Sequence, residues 1–187
     1  KDPGKMKQMG TGRAYTIKEL ASYSFLLEHF YIVDETTSMT KQDLNGTKLV
    51  TMDLSAKLGK EEPLVLIYHT HGSETYKKVN GKEGSVIEVG TALTKELENV
   101  YGIKTVHDKS VYDMVDGQLD RNAAYNFAGD SVEAALRKNP SVKVVIDLHR
   151  DSVENNIHLR TKVNGKSAAQ IMFFNGVSRL ASKGDIG

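Results

Sequence analysis

Two short apolar runs, each leading into histidine, stand out in the hydrophobic pattern of this chain. Residues 64–68 and 142–148 are rich in leucine and β-branched side chains and contain little charge, which predicts strands buried on both faces of a parallel sheet. The first run continues into His69–Glu74 and the second into His149–Asp151. Because ligands of such sheets gather at the carboxyl ends of strands, these two segments are predicted to form the functional site.

The segments between these strands show the periodicity of amphipathic helices. Residues 85–102 open with the Ser85 and Glu88 spacing of a capping box and carry one apolar stripe. Residues 121–138 carry a second stripe, and residues 103–106 form a further short apolar run. Strands that alternate with helices predict an α/β fold with a largely parallel sheet flanked by helices.

Three further elements are predicted outside this alternating core. A helix is expected over residues 16–29 with Thr16 as its cap, and an edge strand is expected over residues 49–52. Asn164-Gly165 lies between two extended runs and is a strong short-range signal for a hairpin. The fold is therefore expected to include a late β-hairpin.

Length and composition describe one ordinary globular domain. The chain has 187 residues, of which 39% are hydrophobic, enough to bury a single core. Residues 1–14 are interpreted as a flexible lead and residues 15–187 as the domain. A formal charge of +1 gives no basic excess and argues against nucleic-acid binding. No apolar run is long enough to span a bilayer.

The absence of cysteine restricts the available chemistry. A disulfide framework, a thiolate zinc site and a cysteine nucleophile are all excluded. A transition metal would have to be held by histidine and carboxylate, which suits zinc in an open catalytic site. Three of the six histidines lie at the two strand exits, so a metal-dependent hydrolase is the first hypothesis.

The strand exits supply a candidate ligand set. His71 and His149 follow two neighbouring strands, and a catalytic zinc site takes three protein ligands. The spacing leaves the third ligand open among His69, Glu74 and Glu88. Considered alone, Glu88 is more simply explained as a carboxylate that satisfies the start of a helix.

Charged residues near these histidines have candidate supporting roles. Asp147 lies two residues before His149 and can either accept a hydrogen bond from the far ring N–H of a coordinating histidine or cap a loop. Arg150 is a candidate for binding a substrate carboxylate, with simple pairing to Asp151 as the alternative. Glu74 is either a base that activates water or an exposed loop residue.

Four segments carry a resemblance to a known family. They read HTHGSETY at 69–76, VVIDLHRDS at 144–152, NGK at 164–166 and AQI at 169–171. From about Tyr15 to its end, the chain resembles the stage II sporulation protein P family. These proteins are cell-wall hydrolases of endospore-forming bacteria, related to zinc-dependent N-acetylmuramoyl-L-alanine amidases. The two histidine motifs in this order make the resemblance specific.

The resemblance implies a ligand set for Zn2+. In the amidases, zinc is bound by a histidine after the first strand, a glutamate that opens the next helix and a histidine that ends a later strand. Carried over by position, these residues are His71, Glu88 and His149. His69 then lies outside the ligand set. Together with Asp147 and Asp151 it is expected to support the ligands or to contact the substrate.

The resemblance also bears on the catalytic residues. The amidases keep a catalytic glutamate on a late strand, but residues 171–176 of this chain contain no acid. The sporulation family instead carries the glutamate of the first loop, which makes Glu74 the expected general base. Arg150 is expected to hold a peptide carboxylate or to steady the oxyanion. Because the family continues with further helix and strand, the domain is expected to be cut short at Gly187.

The activity implied by the resemblance is hydrolysis of peptidoglycan. The family acts as an amidase that releases stem peptides and as an endopeptidase on the cross-links. It works during engulfment, between the mother cell and forespore membranes, and is anchored by a membrane helix that lies outside this chain. Its partner is stage II sporulation protein D, a glycan-cleaving enzyme.

Two other functions are compatible with the residues. A His-x-His motif after a first strand also opens the metal-dependent amidohydrolases of small molecules. Those are (β/α)8 barrels of around 250 residues, longer than this chain. The second alternative is a wall-binding scaffold domain with a catalytically weak site.

Overall fold

The computed structural model describes residues 13–35, 37–56, 61–77, 81–154, 156–174, 179–180 and 184–185. The chain divides into two compact units. The first unit contains the described residues within Ala56–Asn155, and the second contains those within Gly4–Ser55 and Asn156–Gly187. Most of the predicted lead lies outside the described residues, and the predicted domain boundaries stay predictions.

The described residues form helices and strands of modest length. The helices are α1 (Ile17–Leu20), α2 (Tyr23–Phe30), α3 (Gly46–Thr51), α4 (Val86–Asn99) and α5 (Arg121–Lys138). The strands are β1 (Val65–Tyr68), β2 (Thr105–His107), β3 (Met114–Val115), β4 (Gln118–Leu119), β5 (Val144–Asp147), β6 (Arg160–Val163), β7 (Lys166–Ala169), β8 (Arg179–Leu180) and β9 (Gly184–Asp185).

A three-stranded parallel sheet in the order β2-β1-β5 organises the first unit. The predicted α/β class is confirmed. β1 occupies the centre, and its residues Val65, Leu66 and Ile67 are buried. The prediction of burial on both faces is wrong for β5, where Val144 and Val145 remain 44% and 43% exposed. β5 pairs only with β1 among the described strands, so it has the partial exposure of an edge strand.

The two long helices of this unit begin at polar caps. In α4, Ser85 and Glu88 form the predicted capping box, with each side chain accepting from the backbone N–H of the other. In α5, the Asp120 carboxylate accepts from the N–H groups of Asn122 and Ala123. Both helices therefore start where a side chain satisfies their free backbone donors.

Hairpins in both units form at two-residue turns. The predicted late hairpin is confirmed as β6 and β7, with Asn164 and Gly165 at φ 51° and 76°. A second hairpin, β3 and β4, turns at Asp116-Gly117. Asp-Gly and Asn-Gly suit this turn because both central residues adopt positive φ.

Two predicted elements of the second unit are wrong. The helix expected over residues 16–29 is two helices, because the Ser22 hydroxyl accepts from the N–H of Phe25 and starts a new helix. Residues 49–51, expected to begin an edge strand, lie in α3. The Asn45 side chain caps that helix by accepting from the N–H of Lys48. Local caps decide both cases.

A pair of histidine rings packs against α4 at Gly90. His69 is fully buried, and its Nε2 lies 2.9 Å from Nε2 of His107. His69 Nδ1 donates to the carbonyl of Leu148 at 2.9 Å. His107 must therefore be the Nε2–H donor of the pair, which leaves its Nδ1 bare and agrees with the absence of a partner for that buried atom among the described residues. Burial, helped by the neighbouring His69, lowers the pKa of His107.

Substituting alanine for Gly90 is expected to destabilise the protein by about 1–3 kcal/mol. A Cβ at this position would lie 2.6 Å from His107 Nε2 and 2.8 Å from His69 Nε2, so the rings or the helix must move. Chemical denaturation measures the change. Gly129→Ala in α5 is the matched control, because its Cβ would meet nothing within 4 Å and should be neutral or stabilising. Equal stability of the two variants would contradict this packing.

Candidate metal centre

Three potential ligands meet at the carboxyl edge of the parallel sheet. His71, Glu74 and His149 each offer one atom, and these atoms all lie within 4.8 Å of one another. β1 and β5 are adjacent and parallel, with Tyr68 opposite Asp147. The two strands therefore release His71 and His149 at the same edge. A cluster of two imidazoles and a carboxylate is a donor set suited to zinc.

Glu74 is the centre of this cluster. Its side chain is only 5% exposed, and its Oε1 lies 3.8 Å from His71 Nδ1. The other oxygen, Oε2, lies 3.8 Å from His149 Nδ1 and accepts from the backbone N–H of Arg150 at 2.8 Å. A turn in which the N–H of Glu74 donates to the carbonyl of His71 brings the acid back toward the histidine. The interpretation of Glu74 as an exposed loop residue is therefore wrong.

Both histidines of the cluster present Nδ1 to Glu74 and use Nε2 elsewhere. His149 Nε2 lies 2.9 Å from Oδ2 of Asp147. His71 Nε2 donates to the backbone carbonyl of Arg121 over 3.4 Å. Each outer contact places the ring proton on Nε2 in the neutral imidazole, so Nδ1 keeps the lone pair that coordination requires.

Asp147 links His149 to the loop after β1. Its carboxylate also accepts from the backbone N–H of Thr70 at 2.9 Å and from the Thr70 hydroxyl at 2.6 Å. Burial opposes its ionisation, but the hydrogen bonds from His149 and Thr70 outweigh burial and lower the pKa of Asp147. The hydrogen bond between His149 and Asp147 also raises the pKa of His149, although burial of the ring opposes this shift. Asp147 thus stays ionised and fixes the orientation of the His149 ring.

For a zinc ion held by this cluster, Asp147→Asn is expected to weaken binding roughly 10–100-fold without unfolding the protein. The amide lacks the charge that supports His149 and cannot accept all the hydrogen bonds that the carboxylate accepts. Competition titration with a fluorescent zinc chelator measures the affinity. Asp130→Asn, at an exposed position of α5, is the control and should bind zinc as the parent does. Unchanged affinity in the Asp147 variant would show that this contact does not support the metal.

Glu88 lies outside the cluster in this structure. It is exposed, and one of its oxygens accepts from the N–H of Ser85 at 2.9 Å in the capping box. The sequence offered both a capping and a ligand role for this residue, and the contacts seen here are those of the cap. The carboxylate that lies beside the two histidines is Glu74.

The remaining predicted site residues lie around the cluster. His69 is in the buried pair with His107 and has no surface for substrate. The Arg150 backbone holds Glu74, its guanidinium donates to the carbonyl of Asp151, and its buried Nε has no partner among the described residues. The Asp151 carboxylate accepts from the N–H of Ser152.

Two residues that lie next to the cluster were not predicted as site residues from the sequence. Arg121 opens α5, and its guanidinium approaches Glu74 to 3.7 Å. Tyr125 lies one turn later, and its ring packs in an edge arrangement with the His71 ring, with the two centroids 5.3 Å apart. Their proximity depends on how α5 packs beside the loop after β1, which periodicity along the chain does not encode.

The fold and the cluster define an α/β protein with a candidate metal centre at the carboxyl edge of its parallel sheet. The sequence matches the stage II sporulation protein P family over residues 13–183. The chain therefore belongs to this family of sporulation proteins.

One curated relative illustrates the extent of the similarity. The chain is similar to stage II sporulation protein P of Bacillus subtilis (strain 168), with 27% identity over 127 residues. This region covers 62% of the chain and 31% of the relative, so the chain spans well under two thirds of the length of that protein. No solved structure gives a significant match. Among the described residues, no helix combines the length and apolar character needed to cross a membrane.

Proposed function

We propose that this protein is a zinc-dependent peptidoglycan hydrolase that acts in engulfment during endospore formation. Its activities would be those of an N-acetylmuramoyl-L-alanine amidase and a cross-link endopeptidase. The observation that carries this proposal is the cluster of His71, Glu74 and His149 at the edge of the sheet. Membership of a sporulation family supports the biological setting.

The donor set fits zinc. Zinc binds imidazole nitrogen and carboxylate oxygen at about 2.0–2.2 Å, so tetrahedral ligand atoms lie roughly 3.3–3.5 Å apart. Glu74 Oε1 lies 3.8 Å from His71 Nδ1, Glu74 Oε2 lies 3.8 Å from His149 Nδ1, and one ligand atom from each residue lies within 4.8 Å of the others. The three side chains would therefore have to draw closer together to bind the ion. When bound, zinc supplies Lewis acidity toward the scissile carbonyl and lowers the pKa of a coordinated water to about 7.

The protein's own groups hold this arrangement in place. Asp147 and the carbonyl of Arg121 fix the two rings, and the N–H of Arg150 fixes Glu74. The Arg150 guanidinium would contact a peptide carboxylate or the developing oxyanion. Glu74 would act as the third ligand in place of Glu88. The alternative role of Glu74, that of general base, is distinguished by the metal content of a glutamine variant.

The wider setting follows from family membership and is also proposed. The substrate would be peptidoglycan between the mother cell and forespore membranes. The full-length protein would be held there by a membrane anchor outside this sequence. A glycan-cleaving enzyme similar to stage II sporulation protein D would act beside it.

The function is tested on the purified chain with two measurements. Elemental analysis should find close to one zinc per chain. Mass spectrometry of digested peptidoglycan should find free stem peptides for amidase activity and opened cross-links for endopeptidase activity. A chelator should stop digestion and added zinc should restore it. Digestion by a metal-free sample would contradict the mechanism, and wall binding without digestion would identify a scaffold domain.

A small-molecule amidohydrolase is disfavoured by the fold. Those enzymes need a closed barrel of eight parallel strands. The described part of this chain has a parallel sheet of three strands in the order β2-β1-β5 and otherwise antiparallel hairpins. The His-x-His motif here therefore lies at the edge of an open sheet.

A further inference from the structure

Arg121 presents an uncommitted guanidinium beside the candidate metal centre. Its side chain is 48% exposed, and its NH1 lies 3.7 Å from Oε1 of Glu74. This separation is an ion-pair distance but too long for a hydrogen bond. Within the described part of the chain, the guanidinium has this ion pair and no hydrogen bond. Its five N–H donors therefore remain available to a ligand.

The backbone of Arg121 is fixed even though its guanidinium makes no hydrogen bond within the described residues. Its carbonyl accepts from His71 Nε2, and it is the first residue of an 18-residue helix whose cap is Asp120. The guanidinium thus extends from a rigid base next to a metal ligand. Because this backbone is already ordered, little backbone entropy is lost when the side chain binds a ligand.

Tyr125 extends the same surface by one helical turn. Residues four apart on a helix lie on one face. The Tyr125 and His71 rings pack in an edge arrangement with their centroids 5.3 Å apart, while 58% of Tyr125 stays exposed. Arg121 and Tyr125 therefore offer a cation and an aromatic surface side by side at the cluster. This combination suits a peptide that carries a carboxylate.

The guanidinium groups of the other two arginines of this unit each make a hydrogen bond within the described residues. The Arg150 guanidinium donates to the carbonyl of Asp151, and Arg137 pairs with Glu133 at 3.0 Å further along α5. Arg121 differs because its counter-charge, Glu74, is itself in the ligand cluster. Once Glu74 coordinates a cation, Arg121 is left without a neutralising partner, and an anionic group of the substrate can take that place.

We propose that Arg121 binds a free carboxylate of the peptide substrate next to the metal centre, with Tyr125 packing against the peptide beside it. The substrate class is an acidic peptide, and a stem peptide with a free glutamyl carboxylate belongs to it. This assignment rests on the proposed function in that it names the substrate class of the same site. Arg121 then determines specificity through charge and the planar fork of the guanidinium.

The test compares two muropeptides that differ in one group. One carries a free α-carboxylate on its glutamyl residue, and the other carries a carboxamide there. The parent protein should show the higher kcat/KM on the carboxylate form. Arg121→Ala should lower kcat/KM on that form roughly 10- to 100-fold, because a hydrogen-bonded charge is lost, and the ratio between the two substrates should fall toward one. Arg121→Lys should lie in between, and Arg137→Ala should match the parent.

A binding measurement separates this inference from the proposed function. Calorimetry with the released stem tripeptide, in carboxylate and carboxamide forms, reports on Arg121 even if no cleavage is seen. Tighter binding of the carboxylate form, lost in Arg121→Ala with zinc content unchanged, supports the inference. Equal binding of both forms by the parent overturns it. An equal loss of activity on both substrates in the variant also overturns it, since Arg121 would then act through Glu74.

Discussion

Glu74→Gln is expected to lose zinc and hydrolysis together. Glutamine keeps the size of the side chain but removes the charge that faces Nδ1 of both His71 and His149 at 3.8 Å. We expect zinc content to fall to a small fraction of one per chain, and wall digestion to be lost with the metal that supports it. Elemental analysis and muropeptide mass spectrometry measure the two effects on the same sample.

Glu88→Gln is the matched control for this experiment. Glu88 is exposed and accepts from the N–H of Ser85 in the capping box, so its amide should cost at most about 1 kcal/mol of stability and leave zinc in place. Two outcomes would contradict the assignment. Zinc retained in the Glu74 variant with activity lost would make Glu74 the general base, and zinc lost in the Glu88 variant would restore the ligand set implied by family resemblance.

Alanine at His71 or at His149 is expected to remove most of the bound zinc and with it the hydrolytic activity. Each change deletes one of three donors, and the remaining pair cannot complete a catalytic zinc site. His158→Ala, at an exposed position, should retain zinc and activity. Normal zinc content in either ligand variant would refute the cluster as the metal centre.

The zinc affinity of the parent protein should also depend on pH with a definite sign. Coordination requires neutral imidazole, and hydrogen bonding to Asp147 raises the pKa of His149 in the metal-free protein. Protons therefore begin to compete with zinc above the ordinary histidine pKa of about 6.5. Affinity should fall as pH is lowered through that range. In Asp147→Asn the fall should begin at lower pH, because the contact that raises the pKa is weakened.

The sequence predicted the parts of the site that strand position determines. His71 and His149 follow strands whose apolar pattern is plain, and Asp147 precedes His149 by the two residues that place them on one side of a strand. The strand pattern does not decide whether Glu74 or Glu88 lies beside the two histidines. That outcome depends on a turn that folds the first loop back on itself, whereas the spacing of Ser85 and Glu88 explained a cap without reference to any site.

Predictions failed where packing or a local cap decides the outcome. The apolar pattern of β5 does not reveal that the strand lies at an edge, and Asn45 starts a helix in a run with the composition of a strand. Arg121 and Tyr125 reach the cluster from α5, and His107 reaches His69 from β2. Contacts between elements that are distant along the chain follow from three-dimensional packing, so the periodic pattern of the sequence does not predict them.

The pairing of β1 with β5 has a consequence for how the protein folds. Thr70 and Asp147 are separated by 77 positions, and Glu74 and Arg150 by 76, so the centre depends on contacts of high sequence separation between its two halves. Closing so long a loop costs conformational entropy before the stabilising contacts form, and topologies of this kind fold slowly. During synthesis on the ribosome, metal-binding competence would therefore arise only after β5 has emerged and docked, and newly made chains would pass through an interval in which they are inactive.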